Sequence, residues 1–350
     1  MAPSNFGSST TADEAASELA KEISGKVVIV TGVSIGGLGF ETARVIANHG
    51  AGLVILAGRS TAKLDEAEAE IKKETPHANL WKLVIDLASL ESVRKAAAEV
   101  NEYKEPIDVR CFLREASAKG TLIFIPLCIG PHQQCRNQLR PVFPHDRPVQ
   151  RPAESFSSSP VAGPYALTSD GLESQFGCNH IGHFLFTNLI RPRLFASPKP
   201  RIVNVSSRGH RFGDVRFDDP GFSNGEKYEK WQAYGQAKTA NILFSLNVPF
   251  LFLQAIWTNL FSLLSVEDQI GMGFLDENGH KYDAGKFTWK TIAAGASTQV
   301  VAAFDPDLIG LSGAYLEDTK VATPFAYAID KVNAEKLWAL SEKLVGQTYA

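Results

Sequence analysis

Residues 26–49, KVVIVTGVSIGGLGFETARVIANH, constrain the fold of this chain more than any other stretch. The β-branched run Val27–Val30 reads as a buried strand that stops at a turn carrying Gly32, Gly36, Gly37 and Gly39. A helical pattern follows, with Ala43, Val45, Ile46 and Ala47 on its apolar side. Strand, glycine turn and helix in that order make a cradle for a pyrophosphate. The glycines let the backbone approach the anion, and the N–H groups of the first helical turn face it. The spacing departs from G-x-G-x-x-G, so the context between strand and helix carries the reading. A tight turn between two core elements is the competing one.

The alternation continues downstream. Leu53–Ala57 and Leu80–Ile85 read as strands, and Thr61–Glu74 and Leu90–Tyr103 as amphipathic helices. Short connections between such units predict an α/β, Rossmann-like fold: a doubly wound parallel sheet flanked by helices. Later, Leu172–Ile190, Tyr234–Leu246, Thr288–Phe304 and Asn333–Leu344 read as helices, and Arg201–Val205 and Gly313–Leu316 as strands. With 350 residues, 44% of them hydrophobic, the chain can fill one large core. Residues 25–348 are therefore taken as a single domain. Residues 1–24 are polar and alanine-rich without the pattern of a secretory signal. They are expected as a flexible tail tightening into a helix near Ser17–Ile23, on a cytoplasmic protein.

The rhythm breaks between about residues 110 and 163. Pro126, Pro131, Pro141, Pro144, Pro148, Pro152 and Pro160 forbid a regular helix or central strand over most of this stretch. It is expected to be poorly ordered, with one apolar strand at Thr121–Ile125. A net charge of −3 offers no broad basic surface for nucleic acid. Four cysteines are too few for a disulfide scaffold in a chain of this length. Cys128, His132 and Cys135, with Cys111 or His145, match no strong zinc spacing, so no metal is expected. The apolar run Phe244–Leu264 is broken by Asn247, Pro249, Gln254 and Asn259, and a buried helix plus strand accounts for it without a membrane span.

Two groups of residues can carry chemistry. Tyr234 and Lys238 lie four apart, hence on one helix face. A nearby ammonium stabilises a phenolate, which makes such a tyrosine a proton donor and acceptor. The same spacing recurs at Tyr282 with Lys286 and at Tyr327 with Lys331, and a surface pair is the bland alternative. Ser206 and Ser207 close the strand Arg201–Val205. A hydroxyl at the carboxyl edge of a parallel sheet points into the crevice where ligands bind. A serine pair there also fits an ordinary cap or turn.

Together these residues resemble the short-chain dehydrogenase/reductase family, in its retinol-dehydrogenase-like and WW-domain-oxidoreductase-like branch. Thr31-Gly32 with Gly36, Gly37 and Gly39 is similar to the family's cofactor turn. Asn179, Ser207, Tyr234 and Lys238 match its catalytic tetrad, and Asp86-Leu87 its adenine-contacting position. The gap of 27 between Ser207 and Tyr234, and the segment Asp214–Pro220 inside it, are similar to that branch. The resemblance implies that Tyr234 moves the proton, Lys238 holds the nicotinamide ribose, Ser207 polarises the carbonyl and Asn179 positions a water. It implies cofactor contacts from Gly32, Ser34, Gly36, Gly37, Leu38, Gly39, Asp86, Leu87, Tyr234, Lys238, Ile256 and Thr258. Arg59, with Ser60 and Lys63, stands where NAD users carry an acidic residue, which favours NADP; a solvated loop residue is the alternative for Arg59. The function implied is hydride transfer between NADP and a carbonyl or alcohol of a lipophilic small molecule, by a protein compatible with a homodimer.

Two departures from the family pattern stand out. Pro106–Val109 leads into Arg110-Cys111-Phe112-Leu113 instead of Asn-Asn-Ala-Gly, and Leu253-Gln254 stands at a Pro-Gly position. Both are abrupt, as sequence gained or lost at splice junctions would be. The alternative reading is therefore a catalytically impaired nucleotide-binding or interaction protein.

Overall fold

A computed structural model describes residues 6–112, 162–247, 251–255 and 290–349. Strands β1 (Val27–Thr31), β2 (Leu53–Gly58), β3 (Leu80–Val84), β4 (Val109–Phe112), β5 (Arg201–Ser206), β6 (Leu251–Ala255), β7 (Tyr315–Glu317) and β8 (Lys320–Ala322) form one sheet. Their order is β3-β2-β1-β4-β5-β6-β7-β8. All pairs are parallel except β7–β8. The direction of winding reverses between β1 and β4, where open α/β sheets bind ligands beyond the strands' carboxyl ends.

Alternation along the strands explains why both faces are covered. Val28, Val30, Val54, Leu56, Val203 and Val205 enter one core. It is closed by α1 (Ala12–Glu18), α2 (Ala20–Ile23), α3 (Leu38–Asn48), α4 (Thr61–Glu74) and, farther along the chain, Ile292–Phe304. Val27, Ile29, Leu53, Ile55 and Ile202 enter the other core, against α5 (Leu90–Asn101). Helix α6, which packs there too, is composite: Ser174–Phe176, a π turn at Gly177–Ile181, then Gly182–Phe195. Helix α7 is Lys230–Asn247, α8 is the Ile292–Phe304 helix just named, and α9 is Lys331–Val345. The predicted doubly wound sheet is thus present.

The N-terminal expectation needs correction. Residues 6–24 are packed rather than a loose tail. Thr11 and Glu14 form a reciprocal cap that starts α1. Ala12, Ala15, Ala16, Leu19 and Ile23 then make a stripe at helical spacing that is buried in the first core. Small alanine faces hid this stripe in a polar composition. Helix α6 also differs from the single regular helix read over Leu172–Ile190, because the π turn interrupts its hydrogen-bond ladder.

The departures from the family pattern do not remove strands. Leu251–Ala255 pairs with both β5 and β7, as the helix-plus-strand reading of that apolar run requires. Strand β4 forms, and it buries Arg110 completely. The Arg110 guanidinium donates to the Thr187 hydroxyl and stacks 4.2 Å from the centre of the Phe186 ring. Burial draws its pKa well below the usual arginine range. The strand expected at Thr121–Ile125, and most of the 110–163 segment, lie outside the described residues. No helix among the described residues is long and apolar enough to cross a membrane.

Candidate active site

The glycine turn begins where β1 ends. Gly32 and Gly36 have φ of +68° and +78°, a conformation that a side chain disfavours. The Gly37 N–H donates to the Ser34 carbonyl at 3.0 Å, and α3 starts at the next residue. A Cβ on Gly39 would collide with the Gly32 carbonyl, whose carbon lies 2.9 Å from that point. The first turn of α3 is therefore drawn onto the strand end, as a helix N-terminus serving an anion must be. Ser34 is 4% exposed and its Oγ has no hydrogen-bond partner among the described residues. A buried hydroxyl left unpaired inside a glycine cradle fits a ligand that completes it. Leu38 is buried at the helix start.

Arg59 follows β2 and is partly exposed. The Ser60 hydroxyl caps α4 by accepting the Lys63 N–H at 3.4 Å, which ties these residues to the rim of the sheet. The Asp86 carboxylate, just beyond β3, accepts the Ala88 N–H at 3.0 Å. The Leu87 carbonyl oxygen lies 2.6 Å from where a Cβ on Gly182 would sit, so α6 rests directly on this turn.

Because β1 to β7 are parallel, the glycine turn and Ser206-Ser207 leave the sheet along the same rim. Only β4 separates β1 from β5, a lateral distance of roughly 10 Å. Ser207 and Tyr234 meet around Gly209. A Cβ there would lie 3.3 Å from Ser207 Oγ and 2.8 Å from Cδ1 of the Tyr234 ring. Ser207 Oγ accepts the Gly209 N–H at 3.0 Å, which leaves the hydroxyl proton to donate outward. Lys238 Nζ is 5.5 Å from the centre of the Tyr234 ring and donates to the Val205 carbonyl at 3.4 Å. The Ser206 hydroxyl and Asn241 Nδ2 add bonds to the Lys238 and Val205 carbonyls, at 2.8 Å and 3.1 Å. Asn179 lies in the π turn of α6, where Nδ2 donates to Gln175 Oε1 at 3.0 Å. The neighbouring His180 ring meets the Phe244 ring of α7 at 5.8 Å. All four side chains are at least nine-tenths buried.

Two neutral histidines flank this arrangement. His180 Nε2 is 2.9 Å from Ser341 Oγ on α9, and burial pushes its pKa down to about 3. His210 Nδ1 is 2.7 Å from the Ser207 carbonyl, and burial pushes it down to about 4. Burial raises the Cys111 thiol to about 12, so it stays protonated. Sequence reasoning missed Gln175, Gly209 and His210. Gly209 and His210 lie two and three residues beyond Ser207, and that proximity was the one signal available. Ile256 and Thr258 lie outside the described residues, as do Cys128, His132, Cys135 and His145. Among the described residues, no cluster of His, Cys, Asp or Glu could hold a metal.

Comparisons with known proteins agree with this geometry. A family model of the short chain dehydrogenases matches residues 26–111. Over 98% of this chain and 95% of the relative, it is 31% identical to Brassica napus short-chain dehydrogenase TIC 32 B, chloroplastic. It is 31% identical to human retinol dehydrogenase 13, over 93% of this chain and 86% of that one. Identity is also 31% to human WW domain-containing oxidoreductase, over 93% of this chain and 69% of that protein. A solved structure of an uncharacterised Mycobacterium paratuberculosis protein covers 94% of this chain and 96% of its own, at 26% identity and TM-score 0.60. An Escherichia coli short-chain dehydrogenase solved with NADPH shares the fold at 18% identity and TM-score 0.51, covering 86% of this chain and 99% of its own. A glycine turn between a parallel strand and a helix, a serine and a tyrosine converging on one glycine, and three relatives aligned over nearly the whole chain have one common explanation: the chain belongs to the short-chain dehydrogenase/reductase family, on its retinol-dehydrogenase-like branch.

Proposed function

We propose that this protein is an NADP-dependent oxidoreductase acting on a carbonyl or alcohol carbon of a lipophilic small molecule. The observation that carries the reading is the convergence of Ser207 Oγ and the Tyr234 ring on Gly209, on the rim that also holds the glycine turn. The unpaired Ser34 hydroxyl and the close fit of Gly39 against Gly32 support a dinucleotide in that turn. Arg59, Ser60 and Lys63 at the end of β2 suit a 2′-phosphate. The names of relatives such as retinol dehydrogenase 13 favour a lipophilic substrate.

In this reading Ser207 donates a hydrogen bond to the substrate carbonyl, and Tyr234 gives the proton that the oxygen gains as it becomes an alcohol. A nicotinamide dinucleotide held by the glycine turn and Lys238 would supply hydride-transfer chemistry at the carbonyl carbon, in either direction. Lys238 stabilises charge on the tyrosine oxygen and holds the ribose, while Asn179 positions a water behind it. The buried guanidinium of Arg110 in β4, beside the winding reversal, favours a second reading: a protein that binds the nucleotide and does not turn over.

NADPH and NADH fluorescence titrations, followed by turnover on a panel of aldehydes and ketones, separate the two. NADPH is expected to bind more tightly than NADH. Arg59→Ser is expected to weaken NADPH by about 10-fold, the value of one charge-assisted hydrogen bond, and to leave NADH unchanged. Binding without turnover selects the second reading, and equal affinity for the two cofactors contradicts the assignment of Arg59.

A further inference from the structure

The turn that carries Ser207 is held by a side chain that touches no reacting atom. His210 is fully buried, three residues beyond Ser207. Its Nε2 lies 3.3 Å from the backbone N–H of Phe325, which can only donate. Nε2 is therefore the acceptor, and Nδ1 carries the proton that reaches the Ser207 carbonyl at 2.7 Å. That carbonyl also accepts the His210 backbone N–H at 3.0 Å. The turn is bound from two further sides. The Tyr327 hydroxyl donates to the His210 carbonyl at 2.7 Å, and Thr239 Oγ1, next to Lys238 on α7, reaches the Gly213 carbonyl at 2.7 Å. The ring packs edge-on against Tyr315 and Phe325, with centroids 5.6 Å and 5.8 Å away.

We infer that His210 is a positioning residue: its Nδ1–H bond fixes the Ser207 peptide so that the hydroxyl aims at the substrate, and its Nε2 ties that peptide to the C-terminal segment at Phe325. The inference rests on the oxidoreductase reading above. A neutral histidine offers a donor at one of these points and an acceptor at the other within a buried space. Ser207 Oγ already accepts from Gly209, so the remaining freedom of the hydroxyl is set by where the Ser207 backbone sits.

Three variants separate positioning from general packing. His210→Asn keeps an N–H near the Nδ1 point and gives up the Phe325 acceptor. His210→Gln keeps an acceptor near the Nε2 point and gives up the bond to Ser207, and His210→Leu removes both. His210→Leu and His210→Gln are expected to lower kcat by about 10- to 100-fold. KM and NADPH affinity are expected to stay within about twofold, and His210→Asn is expected to recover most of kcat. Amide hydrogen exchange at Gly209–Gly213 is read in parallel, without substrate. It is expected to accelerate in the Leu and Gln variants and to stay slow in the Asn variant. Equal kcat and equal exchange in the Asn and Gln variants overturn the inference, as does exchange in the Leu variant that matches the parent. A parent protein that binds NADPH without turnover defeats the oxidoreductase reading instead, and the exchange measurement then decides the tie by itself.

Discussion

Replacing Tyr234 by phenylalanine is expected to reduce turnover by about 10²- to 10⁴-fold, the range that a positioned proton donor contributes. The variant removes one oxygen and leaves the ring, so the contact with Gly209 and the approach of the Lys238 ammonium keep their shape. At 7% exposure the residue tolerates phenylalanine without a cavity or a new clash. NADPH affinity should therefore stay near that of the parent protein, since the glycine turn, Ser34 and Arg59 are untouched. Steady-state turnover and a fluorescence titration on the same preparation check both halves. A variant that keeps the parent rate would place the proton donor elsewhere.

The second large effect is on stability in mild acid. His180 and His210 are neutral in the fold, with pKa near 3 and 4, against about 6.5 when the chain is unfolded. Their folded values are depressed, so between about pH 6.5 and pH 4 the unfolded chain binds more protons and stability falls as the pH falls. Each histidine then costs about 1.4 kcal/mol per pH unit, and at pH 5 the pair together removes roughly 4 kcal/mol. Carboxylates held low by their partners, such as Glu68 beside Lys72, act at lower pH. Denaturant unfolding at pH 7 and pH 5 measures the loss. His180→Gln should remove about half of the slope, and equal stability at the two pH values would contradict the buried, neutral state of both rings.

The fold was readable because its strands are short apolar runs separated by helices of ordinary amphipathic pattern. Val27–Val30 and Leu53–Ala57 bury alternate residues on opposite faces, which is why they read as continuous hydrophobic stretches. The packed N-terminus was not readable, since Ala12, Ala15 and Ala16 gain burial from a partner helix nearly 280 residues away. Alanine marks a close-packed face only once the opposite helix is known. The π turn at Gly177–Ile181 was hidden for a related reason: the local pattern of α6 is an ordinary helix, and the turn makes its contacts to α7 and α9.

The site divides in the same way. Tyr234 and Lys238 are a local pair, legible from their spacing on one helix. Ser207 was legible from its place at a strand end. The meeting of Ser207 and Tyr234 at Gly209 depends on how the Arg208–Phe212 turn lies on α7, and His210 depends on Phe325, 115 residues away. Contacts of that separation leave no periodic trace in a sequence. Ser60 was expected at the cofactor; the structure shows its hydroxyl as the cap of α4, a role its position before Thr61 already allowed.

The most direct test follows the hydride. NADPH carrying deuterium at nicotinamide C4, prepared as each epimer in turn, is incubated with the protein and a lipophilic aldehyde, and the alcohol is examined by mass spectrometry. One epimer is predicted to deliver its deuterium to the carbonyl carbon in the parent protein, with little or no transfer by Tyr234→Phe. An alcohol free of deuterium from both epimers, in a protein that binds NADPH, would contradict the account.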